Sequence, residues 1–156
     1  MILDKAELTQ HFGDIWVAHQ AGFTTLLTEC RRCMGNDLDS VLIMSIIGGR
    51  TLSASRVSGV AYDEFLKGRR SGKQLSGTNV QSIADSTGIP RETVRRKVKQ
   101  LIDHGWVRRG TNRNLVATEK AIVDLGPATE ATFDYILALV NAVTAAEQAA
   151  PKAQET

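Results

Sequence analysis

Arg91, Glu92, Thr93, Arg95, Arg96 and Lys99 fall within nine residues, and Arg108, Arg109, Asn112 and Arg113 follow closely. Guanidinium and ammonium groups stay protonated at neutral pH, so a cluster of them holds anions rather than moving protons. The arginine fork fits two phosphate oxygens, or the O6 and N7 of a guanine. Asn and Thr add neutral hydrogen bonds, and a carboxylate such as Glu92 can accept from an amino group. The chemistry these residue types favour is recognition of a polyanion, with hydrogen bonds to base edges where the side chains reach them.

A second candidate is the run Cys30-Arg31-Arg32-Cys33. Thiols three residues apart share one side of a helix. Flanking arginines are expected to lower a thiol pKa, which makes Cys30 and Cys33 a candidate redox pair. Plain packing is the alternative reading. A zinc site would need two further ligands, for instance from a second subunit. Two cysteines exclude a disulfide scaffold. His11, His19 and His104 lack metal-ligand spacing, so no metal is expected. The chain has no phosphate-binding glycine loop, nucleophile elbow or HExxH, so neither an enzyme nor a cofactor is expected.

The distribution of charge strengthens the first candidate. The net charge of the 156 residues is only +2. Residues 67–115, however, hold 12 Lys/Arg against 3 Asp/Glu, a net of +9, between flanks of −3 and −4. Solubility does not require such segregation, whereas neutralising a row of phosphates does. No run of about 18 apolar residues is present, and the N-terminus lacks a basic start followed by an apolar stretch. The expected location is therefore cytoplasmic.

The elements that must position these residues are mainly helical. Leu8, Phe12, Ile15, His19, Phe23, Leu26 and Cys30 recur at helical spacing and predict one long helix over residues 4–33. Gly13 and Gly22 mark places where another helix could approach closely, and Gly35-Asn36 ends the helix. Asp37 or Asp39 is expected to cap a buried helix ended or bent by Gly48-Gly49. Residues 51–67 are ambiguous, and the Gly/Ser-rich basic stretch 68–77 reads as a mobile loop. Thr78 and Gln81 fit a capping box for a helix running to Thr87. Gly88 supplies the turn, and Pro90 opens a helix to about His104 that buries Val94, Val98, Leu101 and Ile102. Residues 106–109 and 114–117 predict two strands about a turn, and 118–125 a short helix. Gly126-Pro127 breaks the chain before a final helix over residues 129–149, with Phe133, Ile136, Leu137, Val140 and Val143 on one face. The tail after residue 150 is expected to fray.

The stretch NVQSIADSTGIPRETVRRKVKQLIDHGWV meets the demands of a helix-turn-helix. Ala84 is small where the helices cross, Gly88 tolerates positive φ, and Ile89 and Val94 anchor the second helix. The hairpin after Gly105 reads as a wing carrying Arg108, Arg109, Asn112 and Arg113. Residues 78–125 resemble bacterial winged helix-turn-helix regulators. GIPRETVRRKV is similar to the recognition helices of IclR- and GntR-type proteins. The order of long helix, winged helix and long helix, with ATEKAIVDL after the wing, resembles MarR-type regulators. Lys97 departs from the pattern, standing where such helices often carry an apolar residue.

The resemblance implies a mainly α winged helix-turn-helix with long dimerisation helices at both ends. The expected organisation is an N-terminal dimerisation helix over residues 1–37, a DNA-binding domain over 38–125 with its core at 78–118, and a C-terminal dimerisation helix and tail over 126–156. It also implies a homodimer on double-stranded DNA, acting as a repressor and open to a small-molecule effector held near helix 39–49 and the terminal helices. Arg91, Glu92, Thr93, Arg95, Arg96 and Lys99 would face the groove, and the wing would track the backbone or minor groove. Two alternatives stand beside this reading, a protein-binding winged helix and a nonspecific nucleic-acid binder.

Overall fold

The computed structural model describes residues 4–52, 57–67 and 77–149. The loop expected at 68–77, apart from Gly77, and the expected frayed tail lie outside the described residues. In chain order the elements are α1 (Lys5–Gln10), α2 (Phe12–Cys33), α3 (Leu38–Thr51), α4 (Tyr62–Leu66), α5 (Val80–Thr87), α6 (Arg91–Asp103), β1 (Val107–Arg109), β2 (Leu115–Ala117), α7 (Glu119–Asp124) and α8 (Gly126–Ala149). The class is mainly α with a two-stranded wing. Among the described residues, no helix is long and apolar enough to cross a membrane. The chain divides into two units, Met34–Gly126 and Met1–Cys33 with Pro127–Thr156.

The core of Met34–Gly126 is built from α3, α5, α6, α7 and the wing. Ile43 and Ile47 of α3, Ile83 of α5, and Val94, Val98 and Leu101 of α6 are buried together with Val107, Leu115 and Ala121. The strands are antiparallel, pairing Val107 with Ala117, Arg108 with Val116 and Arg109 with Leu115. An isolated bridge from Thr78 to Leu115 ties the entry to α5 against the wing.

Three features of this unit differ from the sequence expectation. Asn79, not Thr78, caps α5, accepting a hydrogen bond from the Ser82 backbone N–H at 2.9 Å. Thr78 is drawn into the bridge, and Gln81 donates to Asp85 at 2.7 Å instead of closing a capping box. Gly48-Gly49 does not end α3, which runs on to Thr51. Burial of Ile47 and Thr51 outweighs the weak helix propensity of two glycines, about 1 kcal/mol each. The Thr51 hydroxyl donates to the Ile47 carbonyl at 2.7 Å and accepts from the Ala117 N–H at 3.0 Å, joining the end of α3 to β2. Nor is α3 buried all round, for Leu38 and Leu42 are 43% and 50% exposed.

The second unit consists of α1, α2 and α8. The long N-terminal helix expected over 4–33 is interrupted at His11, whose backbone leaves the helical region. A capping box at Asp4 and Glu7 starts α1, and α2 begins just past the break. Gly22 lets α8 come close, since a Cβ there would lie 2.8 Å from a ring carbon of Tyr135. Gly13 has no such neighbour. The Tyr135 hydroxyl sits 2.8 Å from His19 Nδ1, and Phe12, Trp16, His19 and Phe23 form a ladder of ring contacts along α2. Helix α8 begins at Gly126 rather than at Thr129, because Pro127 falls in its first turn, where a missing N–H costs nothing. Among the described residues of α1, α2 and α8, Ala146 alone is buried.

Candidate nucleic-acid interface

The local sequence fixes how α6 is presented. At Gly88 the backbone turns left-handed, φ +73°, and its N–H closes α5 on the Ala84 carbonyl at 2.9 Å. A residue with a Cβ would be strained at that φ. Ile89, buried, then anchors the chain, and Pro90 holds the extended conformation from which α6 starts. On α6 the buried positions are Val94, Lys97, Val98 and Leu101. At about 100° per residue, Arg95, Lys99 and Arg96 fall on the outer arc, and Arg91 on the flank beside Val98. All four are exposed, as is Glu92, while Thr93 lies half-buried on the flank.

These cations are not equivalent. The Arg95 fork is engaged by Glu92, with Nε to Oε2 at 2.9 Å and Nη2 to Oε1 at 2.6 Å. That hydrogen bonding, with the positive charge of Arg95, Arg91 and Arg96, holds the Glu92 carboxyl below its ordinary range. Among the described residues, no ion pair engages Arg91, Arg96 or Lys99. Arg95 would have to leave Glu92 to meet an anion, whereas Arg96 has no ion pair to give up among the described residues.

The wing presents its cations differently. Val107 points inward, and Arg108 and Arg109 are exposed. A short 3-10 turn, Thr111–Arg113, connects the strands, with Asn112 and Arg113 at φ +58° and +61°. Asn tolerates this region, while an arginine there costs about 1–2 kcal/mol. The turn is closed by Gly110 N–H donating to the Asn114 carbonyl at 2.7 Å. Arg113, exposed, is carried at the tip.

Lys97 resolves the departure seen in the sequence. Its side chain is only 10% exposed, and its ammonium pairs with Asp37 and lies 3.9 Å from Asp39. Asp37 also caps α3, its Oδ1 accepting from the backbone N–H of Asp39 at 3.1 Å and of Ser40 at 3.4 Å, its Oδ2 from the Ser40 hydroxyl at 2.7 Å. Partial burial pushes the Asp37 carboxyl up, but Lys97 and the Ser40 donors outweigh it and leave the pKa below its ordinary value. The sequence signal for this pair is a lone cation at a core position of α6, which demands a buried counter-ion. A depressed folded-state pKa stabilises the protein above the unfolded value of about 3.9, and that contribution disappears as pH falls through the folded value. The denaturation midpoint in urea should therefore fall on acidification below about pH 4. Asp37→Asn should flatten part of that acid limb; an unchanged limb contradicts the assignment.

Cys30 and Cys33 lie at the far end of α2, both half-buried. Burial pushes both thiols up; Cys33 and Glu29 add to the effect on Cys30, and at Cys33 the charge of Glu29 outweighs the opposing Arg32. Arg32, committed to Glu29 at 2.5 and 3.0 Å, offsets only part of the rise at Cys33. Among the described residues, no cluster of three His, Cys, Asp or Glu could hold a metal ion.

A helix, a left-handed turn, a cationic second helix and a two-stranded wing together define a winged helix-turn-helix. Residues 72–110, 39 of the 156, match the family model of the IclR helix-turn-helix domain. The chain thus carries the DNA-binding domain of a transcription regulator. No curated protein and no solved structure matches it.

Proposed function

We propose that the chain is a sequence-specific transcription regulator that binds a near-palindromic operator as a homodimer. The observation that carries this reading is the arc of exposed cations on α6, set opposite its buried face and followed by a basic wing tip. In this reading α6 enters the major groove, where Arg96 reads a base edge and Arg91, Arg95 and Lys99 hold phosphates. Arg108, Arg109, Asn112 and Arg113 follow the backbone or minor groove. The succession of long helix, winged helix and long helix supports a MarR-like plan, and the resemblance favours repression through operator occupancy.

The dimer reading draws on the terminal-helix unit. Phe12, Trp16, Phe23 and Leu27 of α2 are 39–54% exposed, and Phe133, Ile136, Leu137 and Val140 of α8 are 43–58% exposed. On each helix the four fall within one arc at helical spacing. At roughly 150–250 Å² per large side chain, half-exposed, each arc offers on the order of 400 Å². On α8 the arc lies about 150° from Tyr135, which meets α2, so the two arcs are separate faces. A second copy covering the α8 arc would give one molecule two α6 helices, as a near-palindrome with half-sites about 34 Å apart requires. A half-open apolar cavity of about 390 Å³ in the same unit, between Leu8, Phe12, Ile15 and Trp16 of the N-terminal helices and Leu139 and Val143 of α8, supports a small apolar effector.

Substitution at α6 and at the wing tests the assignment of roles. Arg96→Ala should weaken binding to a duplex selected by the protein by about 5- to 150-fold and relax preference at one position. Arg113→Ala should weaken selected and random duplexes alike and reduce the salt slope by about 1. If both variants bind like the wild type, this face does not contact DNA.

A further inference from the structure

We propose that the half-buried ion pair between Lys97 of α6 and Asp37, the N-cap of α3, is a positioning clamp, which fixes the recognition helix so that its exposed face docks in one register. The inference rests on the DNA-binding reading above and adds to it two residues that do not themselves touch DNA.

Lys97 is buried at the edge of the α6 face formed by Val94, Val98 and Leu101. Its ammonium meets an acid on a different helix, 60 residues earlier in the chain. An apolar residue in its place would pack without a directional partner. A lysine whose charge must stay against Asp37, with Asp39 at 3.9 Å, permits fewer rotations and slides of α6 against α3. Asp37 is itself held by three hydrogen bonds, from the Asp39 and Ser40 backbone and the Ser40 hydroxyl, so the anchor is rigid. Arg95 and Arg96 directly precede Lys97, and Lys99 follows within a turn. A rotation of α6 about its axis would move all of them together.

The sign of the electrostatics makes the clamp testable. Removing an anion from a protein that binds DNA ordinarily strengthens binding to phosphates. A clamp predicts the reverse for Asp37→Asn, which retains a good N-cap residue and deletes the charge. The probes are a duplex selected from a random pool by the wild-type protein and a random-sequence duplex, measured over a salt series. Asp37→Asn should lose about 10-fold or more in affinity for the selected duplex with an unaltered salt slope, so the specificity ratio falls. Lys97→Met should do the same, because the buried ammonium neutralises no phosphate; a lysine contacting phosphate would lower the slope by about 1. The double variant should lose no more than either single one, since each alone already opens the clamp.

Asp37→Asn binding the selected duplex as tightly as the wild type, or more tightly, overturns the clamp while leaving the DNA-binding reading intact. So does a drop in salt slope for Lys97→Met. A wild-type protein that selects no sequence from the pool overturns both. Should Lys97→Met fail to fold, Asp37→Asn alone decides.

Discussion

Leu137→Glu is expected to convert the protein from two chains to one and to reduce its affinity for the selected duplex by at least about 100-fold. Leu137 is 58% exposed on α8, so in an isolated chain a glutamate there removes little packing. Within a two-fold interface that covers this arc, the same change buries a charge in an apolar patch. Loss of the proposed dimer would leave one half-site per molecule. Coupling two modules ordinarily raises affinity by about 10²–10⁴, and that gain is what the variant forfeits. Sedimentation equilibrium and duplex titration read the two effects separately. A variant that stays dimeric places the interface elsewhere. A wild type that is monomeric at working concentration removes the two-fold reading.

The second large effect lies far from the cations. Ile47 of α3 is fully buried against the core that carries α5, α6 and the wing. Ile47→Ala should destabilise this unit by about 2–5 kcal/mol, from the lost transfer energy and the cavity left behind. Against a total of about 5–15 kcal/mol for a domain, that change removes much of the folded population near physiological temperature. DNA binding should fall with it, although Ile47 lies outside the matched helix-turn-helix residues. Leu42→Ala on the same helix is the control, since Leu42 is 50% exposed. Its midpoint in urea should shift by a small fraction of the Ile47→Ala shift; equal shifts would mean the core is misplaced.

The parts of the fold legible in the sequence are those settled by local chemistry. The turn between α5 and α6 follows from Gly88 and Pro90, whose backbone preferences act over one or two residues. The short helix α7 follows from Thr118, whose hydroxyl accepts from the Ala121 N–H at 3.3 Å. Misreadings arise where a distant partner intervenes. Thr78 is an accepted cap by residue type, though weaker than Asn79, and pairing with Leu115 takes it out of the competition. Gly48-Gly49 reads as a stop until Thr51 is seen bonded to Ala117, 66 residues away. The break at His11 leaves no trace in the apolar spacing, which continues across it.

The candidate site divides along the same line. Exposure of Arg91, Arg96 and Lys99 follows from helical periodicity around Val94, Val98 and Leu101. The engagement of Arg95 by Glu92 was open to the same reasoning, since residues three apart on a helix are neighbours. The partner of Lys97 was not, because nothing local singles out Asp37 among the acids of the chain. The thiols show the opposite failure. Arg31 and Arg32 flank them in sequence, but Glu29, one turn earlier than Cys33, takes Arg32 and adds its own negative charge.

A salt series of wild-type binding to a selected duplex and to random DNA measures the central claim directly. Affinity for both should fall steeply with salt, with a preference of at least about 10³ for the selected duplex. A steep slope without that preference would mean a nonspecific binder. Failure to bind either duplex at low salt would contradict the claim that the face formed by α6 and the wing is made for DNA.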